Sequence, residues 1–311
     1  MSAEAHVTSG DEFALKSHLS TCLFALQASL AEAQHAWLVE AMAAVRTDTA
    51  DTEALAQRLM CFMARAKRCL GEQRVSVTLP VYASESGFTA GEWTLSHWSK
   101  ADLGRWVLLA TALLASPHDK YLTLAAVFRF ADNSEKRAVL IGLYWLLEDP
   151  RLVAFTAEVQ RTNDLNVFCA LATANPFPTR HLPETQFNQL VLKALFLGVS
   201  IDHIVDIQAR NNAELQRMAE DYLHERRLAD REIPPSLWLL LKASNVSQPT
   251  QAAWLLALNS DSDDQRYYSA RALVSGWEAG EPLPIALEKA LRQRPDTETH
   301  PTIRALVQDM H

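Results

Sequence analysis

Glycine is scarce in this sequence, at 9 of 311 residues against a usual share of about 7%. Folds that depend on glycine-rich turns, such as nucleotide-binding α/β units and many-stranded β-sheets, are therefore disfavoured. The chain contains no P-loop, no GxGxxG fingerprint and no GxSxG nucleophile elbow. The sequence gives no support for the common nucleotide-binding folds or for an α/β-hydrolase.

Positive charge is also in short supply. Lys and Arg number 29 against 37 Asp and Glu, which gives a net charge of −8. A nucleic-acid binder needs a cationic surface to neutralise phosphates, so nucleic acid is not an expected partner.

The four cysteines show no CxxC spacing and fall in apolar, helix-like surroundings. This pattern predicts reduced, buried thiols rather than a disulfide framework.

Long hydrophobic runs are missing. The longest apolar stretches, near 106–115 and 139–147, are about ten residues each, half of what a membrane-spanning helix needs. The first residues, MSAEAHVTSGDEF, lack the basic and apolar regions of a secretory signal. The sequence therefore predicts a cytoplasmic protein that is not an integral membrane protein; any association with the inner membrane would be peripheral, through a partner.

Helical periodicity dominates what is present, in a chain that is 49% hydrophobic. Apolar residues at three- and four-residue steps predict helices over 12–46, 52–70, 99–115, 119–131, 134–148, 184–198 and 208–230. Successive helical hairpins of about 30–35 residues are typical of an α-solenoid. We therefore expect an all-α fold of stacked antiparallel helical hairpins, a HEAT-like α-α superhelix.

One segment, residues 72–95, breaks the helical pattern. RVSVTLPVY alternates apolar and polar residues, and the following SESGFTAGEW contains two of the nine glycines. A short hairpin or an ordered loop is expected here, serving as a lid or contact surface, or as a variable surface loop. The predicted organisation is an N-terminal helical pair (1–71), this insertion (72–95), a central helical core (96–245) and a C-terminal helical extension (246–311).

A proline-rich turn precedes an unusually apolar helix between residues 174 and 202. The three prolines are Pro176, Pro178 and Pro183. Because proline fixes its own φ and restricts the preceding residue, the turn should hold its polar groups rigidly; these are Asn175, Arg180 and His181. The helix that follows carries Asn188 and Lys193, whose polar groups need partners if they are buried.

Two interpretations of these five residues stay open. In the first, Asn175, Arg180, His181, Asn188 and Lys193 form a binding site for an anionic or hydrogen-bonding ligand. In the second they belong to a buried polar network. Lys193 would then pair with Asp202 or Glu220, and Asn188 would cap a loop carbonyl.

Other chemistry-bearing patterns are incomplete. Glu32 and His35 form one Glu-x-x-His pair, whereas a di-iron bundle needs two. His203 and Asp206 lack a third and fourth ligand at helical spacing. The acidic string 261–264 matches the DxDD pattern of terpene cyclases, but it precedes a helix, where acidic residues act as caps. The sequence thus predicts no metal site, no cofactor and no assignable catalytic residue.

The central part of the chain, roughly 120–240, resembles the EboA family. The resemblance rests on NPFPTRHLPETQFNQLVLKALFLGVSIDHIV (175–205) and NNAELQRMAEDYLHERRLADREIPPSLW (211–238). Its features are an NPxPxR turn, an FNQxVLKALFxG helix, and a helix that ends in ERR before a PPxLW segment. It implies a helical cytosolic protein of a bacterial gene cluster for secondary-metabolite traffic. The implied partners are a UbiA-type prenyltransferase, a TatD-like metal hydrolase and sugar-isomerase-like proteins.

The resemblance indicates the pathway in which the protein acts, but it does not indicate which reaction, if any, the protein catalyses. The favoured function is a non-enzymatic scaffold or carrier in the traffic or export of a secondary metabolite. The alternative is an enzyme of the same pathway that uses Lys193, His181 or Arg180 on an anionic prenyl or aromatic intermediate. A lowered pKa of Lys193 would be the mark of that enzyme.

Overall fold

A computed structural model describes residues 9–46, 51–82, 88 and 90–308. Helix accounts for 69% of the chain, and the one sheet in these ranges has two strands. The predicted all-α fold with a short hairpin is confirmed, whereas HEAT-like stacking stays a prediction. No helix within the described ranges is long and apolar enough to cross a membrane.

The chain divides into two compact units, Met1–Pro183 and Glu184–His311. The helices of the first unit are α1 (Ser9–Gln27), α2 (Glu32–Val45), α3 (Thr52–Met63), α4 (Ala66–Leu70), α5 (Lys100–Ala115), α6 (Lys120–Phe130), α7 (Asn133–Ile141), α8 (Leu143–Leu146), α9 (Arg151–Val159), α10 (Leu165–Ala172) and α11 (Phe177–His181). Its strands are β1 (Arg74–Val81) and β2 (Gly91–Ser99). The four-part division expected from the sequence stays a prediction.

The second unit has six helices in its described part. They are α12 (Glu184–Phe196), α13 (Ala213–Leu228), α14 (Gln248–Leu258), α15 (Asp263–Glu278), α16 (Ile285–Thr297) and α17 (Pro301–Gln308). Three short 3-10 helices lie among them, at Ile201–His203, Ile207–Arg210 and Pro235–Leu240. The core includes Trp238 and Trp254, whose ring centroids are 5.1 Å apart. Both indole N–H groups donate to α15, one to the side chain of Gln265 and one to the carbonyl of Ser269.

Helix α5 is the buried centre of the first unit. It is apolar on nearly all sides, and α1, α2, α3, α4, α7 and both strands contact it. Its charged residues Lys100, Asp102 and Arg105 are buried as well. Ser99 caps the helix and forms a capping box with Asp102, which satisfies two of the backbone N–H groups at its start.

The hairpin follows from the alternation in the sequence. Apolar side chains of β1 point inward at every second position, namely Val75, Val77, Leu79 and Val81. The strands pair antiparallel from Arg74 opposite Ser99 to Val81 opposite Gly91. Of the predicted connecting segment, residues 83–87 and 89 lie outside the described residues.

Two helices predicted as continuous are each broken in two. At both breaks a backbone carbonyl accepts a hydrogen bond from a buried charged side chain of α5. Residues 12–46 form α1 and α2, and the carbonyl of Ser29 in the break accepts a hydrogen bond from the Lys100 ammonium. Residues 52–70 form α3 and α4. At that break Arg105 Nε donates to the Met63 carbonyl at 3.0 Å. Buried charged groups need such partners, and a continuous helix would have used these carbonyls itself.

A third predicted helix, over 134–148, breaks at Gly142. The Trp106 side chain lies against this glycine, and its indole N–H donates to the Gly142 carbonyl at 3.1 Å. A Cβ atom at position 142 would come within 2.1 Å of that ring. The break between α7 and α8 therefore makes room for a buried tryptophan.

The prediction of buried cysteines is largely wrong. Cys22 is buried in the core, but Cys61 is exposed, and Cys69 and Cys169 are partly exposed. Burial strongly raises the pKa of the Cys22 thiol, which keeps it protonated and unreactive. The acidic string 261–264 marks the start of α15 as predicted, but the N-cap is Ser262 rather than an acidic residue. Asp263 and Asp264 lie in the first turn, where they offset the helix dipole.

Candidate functional site

The proline-rich turn forms the short helix α11, and Asn175 fixes its start. The Asn175 amide group donates to the carbonyls of Leu140 and Ala170, at 2.8 and 3.1 Å. Its carbonyl oxygen accepts the backbone N–H of Phe177 at 3.0 Å. The side chain is fully buried and is committed to the main chain, so Asn175 positions α11.

Arg180 and His181, at the end of α11, meet aromatic rings. The guanidinium carbon of Arg180 lies 4.0 Å from the centroid of the Phe88 ring, a cation–π contact. Phe88 is buried and follows β1 in the chain. The His181 ring lies between Phe177 and Tyr144, with centroid distances of 4.9 and 5.7 Å. Phe88, from the connection between the strands, therefore contacts the predicted site.

A chain of hydrogen bonds continues from Tyr144 to α1. The Tyr144 hydroxyl oxygen accepts the backbone N–H of Tyr82 at 3.0 Å. The Tyr82 hydroxyl lies 2.8 Å from His18 Nε2, and His18 Nδ1 lies 3.1 Å from the carbonyl oxygen of Trp145. Because a carbonyl only accepts, Nδ1 carries the proton, and in the neutral ring Nε2 accepts from the Tyr82 hydroxyl. We call His18, Tyr82, Tyr144 and His181 the histidine–tyrosine cluster.

The cluster is neutral near pH 7 and lies beside a fixed cation. Burial lowers the pKa of His18, and a hydrogen bond to Trp145 opposes this in part. Burial, followed by the positive charge of Arg180, lowers the pKa of His181. Burial raises the pKa of Tyr144. Shifted titratable groups that gather in one place are a feature of functional sites.

The cluster connects the protein interior with solvent. His18 is 3% exposed, whereas Tyr82 is 47% exposed. One hydroxyl group thus lies between a buried imidazole and the surface. Such an arrangement can offer an incoming ligand aromatic faces, neutral hydrogen-bonding groups and the charge of Arg180.

Asn188 lies in the second unit, on α12, and is paired with an asparagine of the same unit. Asn188 and Asn212 exchange amide hydrogen bonds of 3.2 and 3.0 Å. Asn212 is also the N-cap of α13 and accepts the backbone N–H of Leu215. Asn188 therefore supports a helix cap rather than a loop carbonyl.

Lys193, also on α12, is half-buried, and burial lowers its pKa. The two acids considered as its partners have hydrogen-bond donors of their own. Asp202 accepts from Ser200 and Tyr268, at 2.6 and 2.8 Å. Glu220 accepts from Ser247 and Thr250, at 2.7 and 2.6 Å.

Sequence reasoning missed three members of the cluster. His18 interrupts the apolar face of α1 between Leu15 and Leu19, and this was a usable signal. Tyr82 and Tyr144 gave no such signal in the sequence, because each lies next to apolar residues and is typical of a tyrosine that packs in the core. Among the described residues, no group of three or more His, Cys, Asp or Glu side chains is placed to hold a metal ion.

The family comparison covers both units. A family profile described as "Metabolite traffic protein EboA" matches residues 17–242. The matched range includes His18, the hairpin, α11 and α12. No curated protein and no solved structure matches the chain. Since the profile spans well over half of the sequence, the chain belongs to the EboA family of metabolite traffic proteins.

Proposed function

We propose that the protein is a non-enzymatic carrier or scaffold in metabolite traffic, and that it binds a small metabolite at Arg180 and the histidine–tyrosine cluster. Family membership supports the role in metabolite traffic. The observation that carries the site is the Arg180 guanidinium, 4.0 Å from the Phe88 ring centroid and next in sequence to a neutral His181.

The chemistry of the cluster suits an aromatic or prenyl metabolite that bears an acid group. Aromatic rings provide apolar contact area, and neutral Tyr and His side chains provide hydrogen bonds without charge. Arg180 supplies one planar cation for a carboxylate or phosphate. In this proposal Asn175 positions α11 in the first unit, and Asn188 supports α13 in the second.

The test is mass spectrometry of small molecules released from the protein after gentle purification from a strain that expresses its whole gene cluster. We expect one metabolite in stoichiometric amount with the wild-type protein and its loss with Arg180→Ala. Arg161→Ala is the matched control, because Arg161 is an exposed arginine at the end of α9. Arg180→Lys keeps the charge but not the planar donor group, and it should retain only part of the metabolite.

Circular dichroism establishes that each variant is folded. Full retention of the metabolite by folded Arg180→Ala and by folded His181→Gln would place the site elsewhere. An empty wild-type protein would favour scaffolding alone. The search would then turn to protein partners, first the UbiA-type prenyltransferase and the TatD-like hydrolase implied by the family.

The enzymatic alternative keeps one specific observation in its favour. Burial lowers the pKa of Lys193, which is the direction expected of a lysine that acts as a base or nucleophile. In this alternative the protein converts an anionic prenyl or aromatic intermediate of the same pathway. Incubating the released metabolite with purified protein separates the two functions. A product formed by the wild type and not by folded Lys193→Met supports an enzyme, and an unchanged metabolite supports a carrier.

A further inference from the structure

A second polar site lies at the other end of the hairpin. A cleft of about 350 Å³ opens where β1 begins and β2 ends, and Arg74 is paired there with Ser99. Phe88 follows the opposite end of β1, so this cleft is separate from the histidine–tyrosine cluster. We call it the arginine cleft and define it by Arg74, His97, Asp102, Arg105 and Arg137.

Two of its arginines are held by one buried carboxylate. Asp102 is 4% exposed and lies 2.5 Å from Arg137 Nη1 and 4.0 Å from Arg105 Nη1. Ser99 fixes the carboxylate through its hydroxyl, at 2.7 Å, and through its backbone N–H, at 3.1 Å. The guanidinium groups are therefore positioned before any ligand arrives, which lowers the entropic cost of binding.

The charge of the cleft is opposite to that of the chain. Its lining has four Lys and Arg side chains, namely Arg74, Arg105, Arg137 and Lys67, and two acidic ones, Asp102 and Glu72. Two positive charges are thus left in excess, in a protein whose net charge is −8. Lys67 and Glu72 form an exposed ion pair of 2.9 Å at the side, so the excess rests on the arginines. A cleft lined by one sign of charge concentrates ions of the other sign.

The donors point to a phosphate rather than a carboxylate. Guanidinium groups from β1, α5 and α7 surround the cleft, and Ser134 adds a neutral hydroxyl at the start of α7. A phosphate has three or more acceptor oxygens and carries close to two negative charges at pH 7, which matches the number of donor groups and the charge excess. We infer that the arginine cleft binds the phosphate or diphosphate group of a small ligand.

His97 provides a reporter inside the cleft. Burial and then the positive charge of Arg137 lower its pKa, Asp102 opposes them, and Arg74 lowers it further. Arg137 belongs to α7, Asp102 to α5 and Arg74 to β1, and all three line the cleft with His97. A bound dianion would reverse the electrostatic part of this shift, so the pKa of His97 should rise on binding.

The experiment is calorimetric titration of the full chain with inorganic phosphate, pyrophosphate and acetate at one ionic strength. We expect phosphate and pyrophosphate to bind and acetate to bind at least tenfold more weakly. Arg74→Gln lies at an exposed strand start and should fold. Loss of its charged hydrogen bonds should weaken binding by about tenfold or more. Arg68→Gln, an exposed arginine of α4 outside the cleft, is the matched control and should bind like the wild type.

Nuclear magnetic resonance titration of the imidazoles is the second readout, with the His97 signal assigned from His97→Gln. A rise in the pKa of His97 with phosphate, absent in folded Arg74→Gln, supports the inference. Equal binding of acetate and phosphate would overturn the assignment to phosphate. Equal losses in Arg74→Gln and Arg68→Gln, or no binding of either phosphate at millimolar concentration, would overturn the site itself.

Discussion

The carboxylate of Glu298 accepts two hydrogen bonds from Arg266, at 3.0 Å to Nε and 3.1 Å to Nη2, in a place where Glu298 is only 1% exposed. Arg294 binds the same carboxylate at 2.8 and 2.9 Å, and the backbone N–H groups of Thr299 and His300 complete the set. Glu298 therefore ties α15 to the junction between α16 and α17.

Replacing Glu298 with Gln should destabilise the protein by roughly 3 kcal/mol, because the largely buried guanidinium of Arg294 loses its counter-charge and that of Arg266 keeps only Asp263. Urea unfolding monitored by circular dichroism measures the change. Glu288→Gln is the control: its pair with Arg292 is well exposed, and we expect a cost below about 1 kcal/mol. Equal effects of the two substitutions would contradict the role given to Glu298.

The lowered pKa of Glu298 also predicts that the free energy of unfolding decreases in acid. The hydrogen bonds from Arg266 and its neighbours outweigh burial and lower the pKa of Glu298 from 4.5 to about 2. The unfolded chain therefore takes up this proton at a higher pH than the folded one. The stabilisation, on the order of 3 kcal/mol, is complete above pH 4.5 and is lost as the pH falls towards 2. Unfolding free energies of the wild type and Glu298→Gln should converge over that range.

Substitution of Gly142 tests the break between α7 and α8. An alanine Cβ would lie within 2.1 Å of the Trp106 ring, so Gly142→Ala should cost about 1–3 kcal/mol through overpacking. The near-ultraviolet circular dichroism of the tryptophans should change as well. Gly276→Ala is the matched control inside α15, where the nearest atom is 3.6 Å away. It should be neutral or stabilising by up to about 1 kcal/mol.

His18 predicts a pH dependence near neutrality. Because burial lowers its pKa, the unfolded chain binds a proton at higher pH than the folded chain, and stability falls as the pH drops below 6.5. His97 and His181 act in the same direction. His18→Gln should therefore reduce, but not abolish, the slope of unfolding free energy between pH 7 and pH 5.5. An unchanged slope in folded His18→Gln would contradict this role of His18.

Periodicity predicted the positions of most helices, and strict alternation predicted the hairpin, because both patterns depend on residues that are near in sequence. The helix breaks after Gln27 and Met63 were not predictable in this way. They exist because Lys100 and Arg105, distant in sequence, need carbonyl partners in the core. The break at Gly142 likewise depends on Trp106.

Only those residues of the candidate site that a local sequence pattern marks were named from the sequence. Arg180 and His181 stood out because prolines fixed the turn beside them. Asn175 stood out with them, but only its hydrogen bonds to the carbonyls of Leu140 and Ala170 identify it as the residue that positions α11. Tyr82 and Tyr144 come from other elements, and nothing local to their sequence marks them.

Strand β2 runs into α5 with no connecting residue, since Ser99 is both the last residue of the strand and the N-cap of the helix. A deletion of 72–95 would therefore remove β1 and most of β2 and leave the buried central helix without the sheet that covers part of it. For protein engineering, the hairpin cannot be treated as a cassette to be trimmed or exchanged at its base. A graft or an affinity tag would have to enter between the strands, and it would then lie next to Phe88 and the contact this residue makes with Arg180.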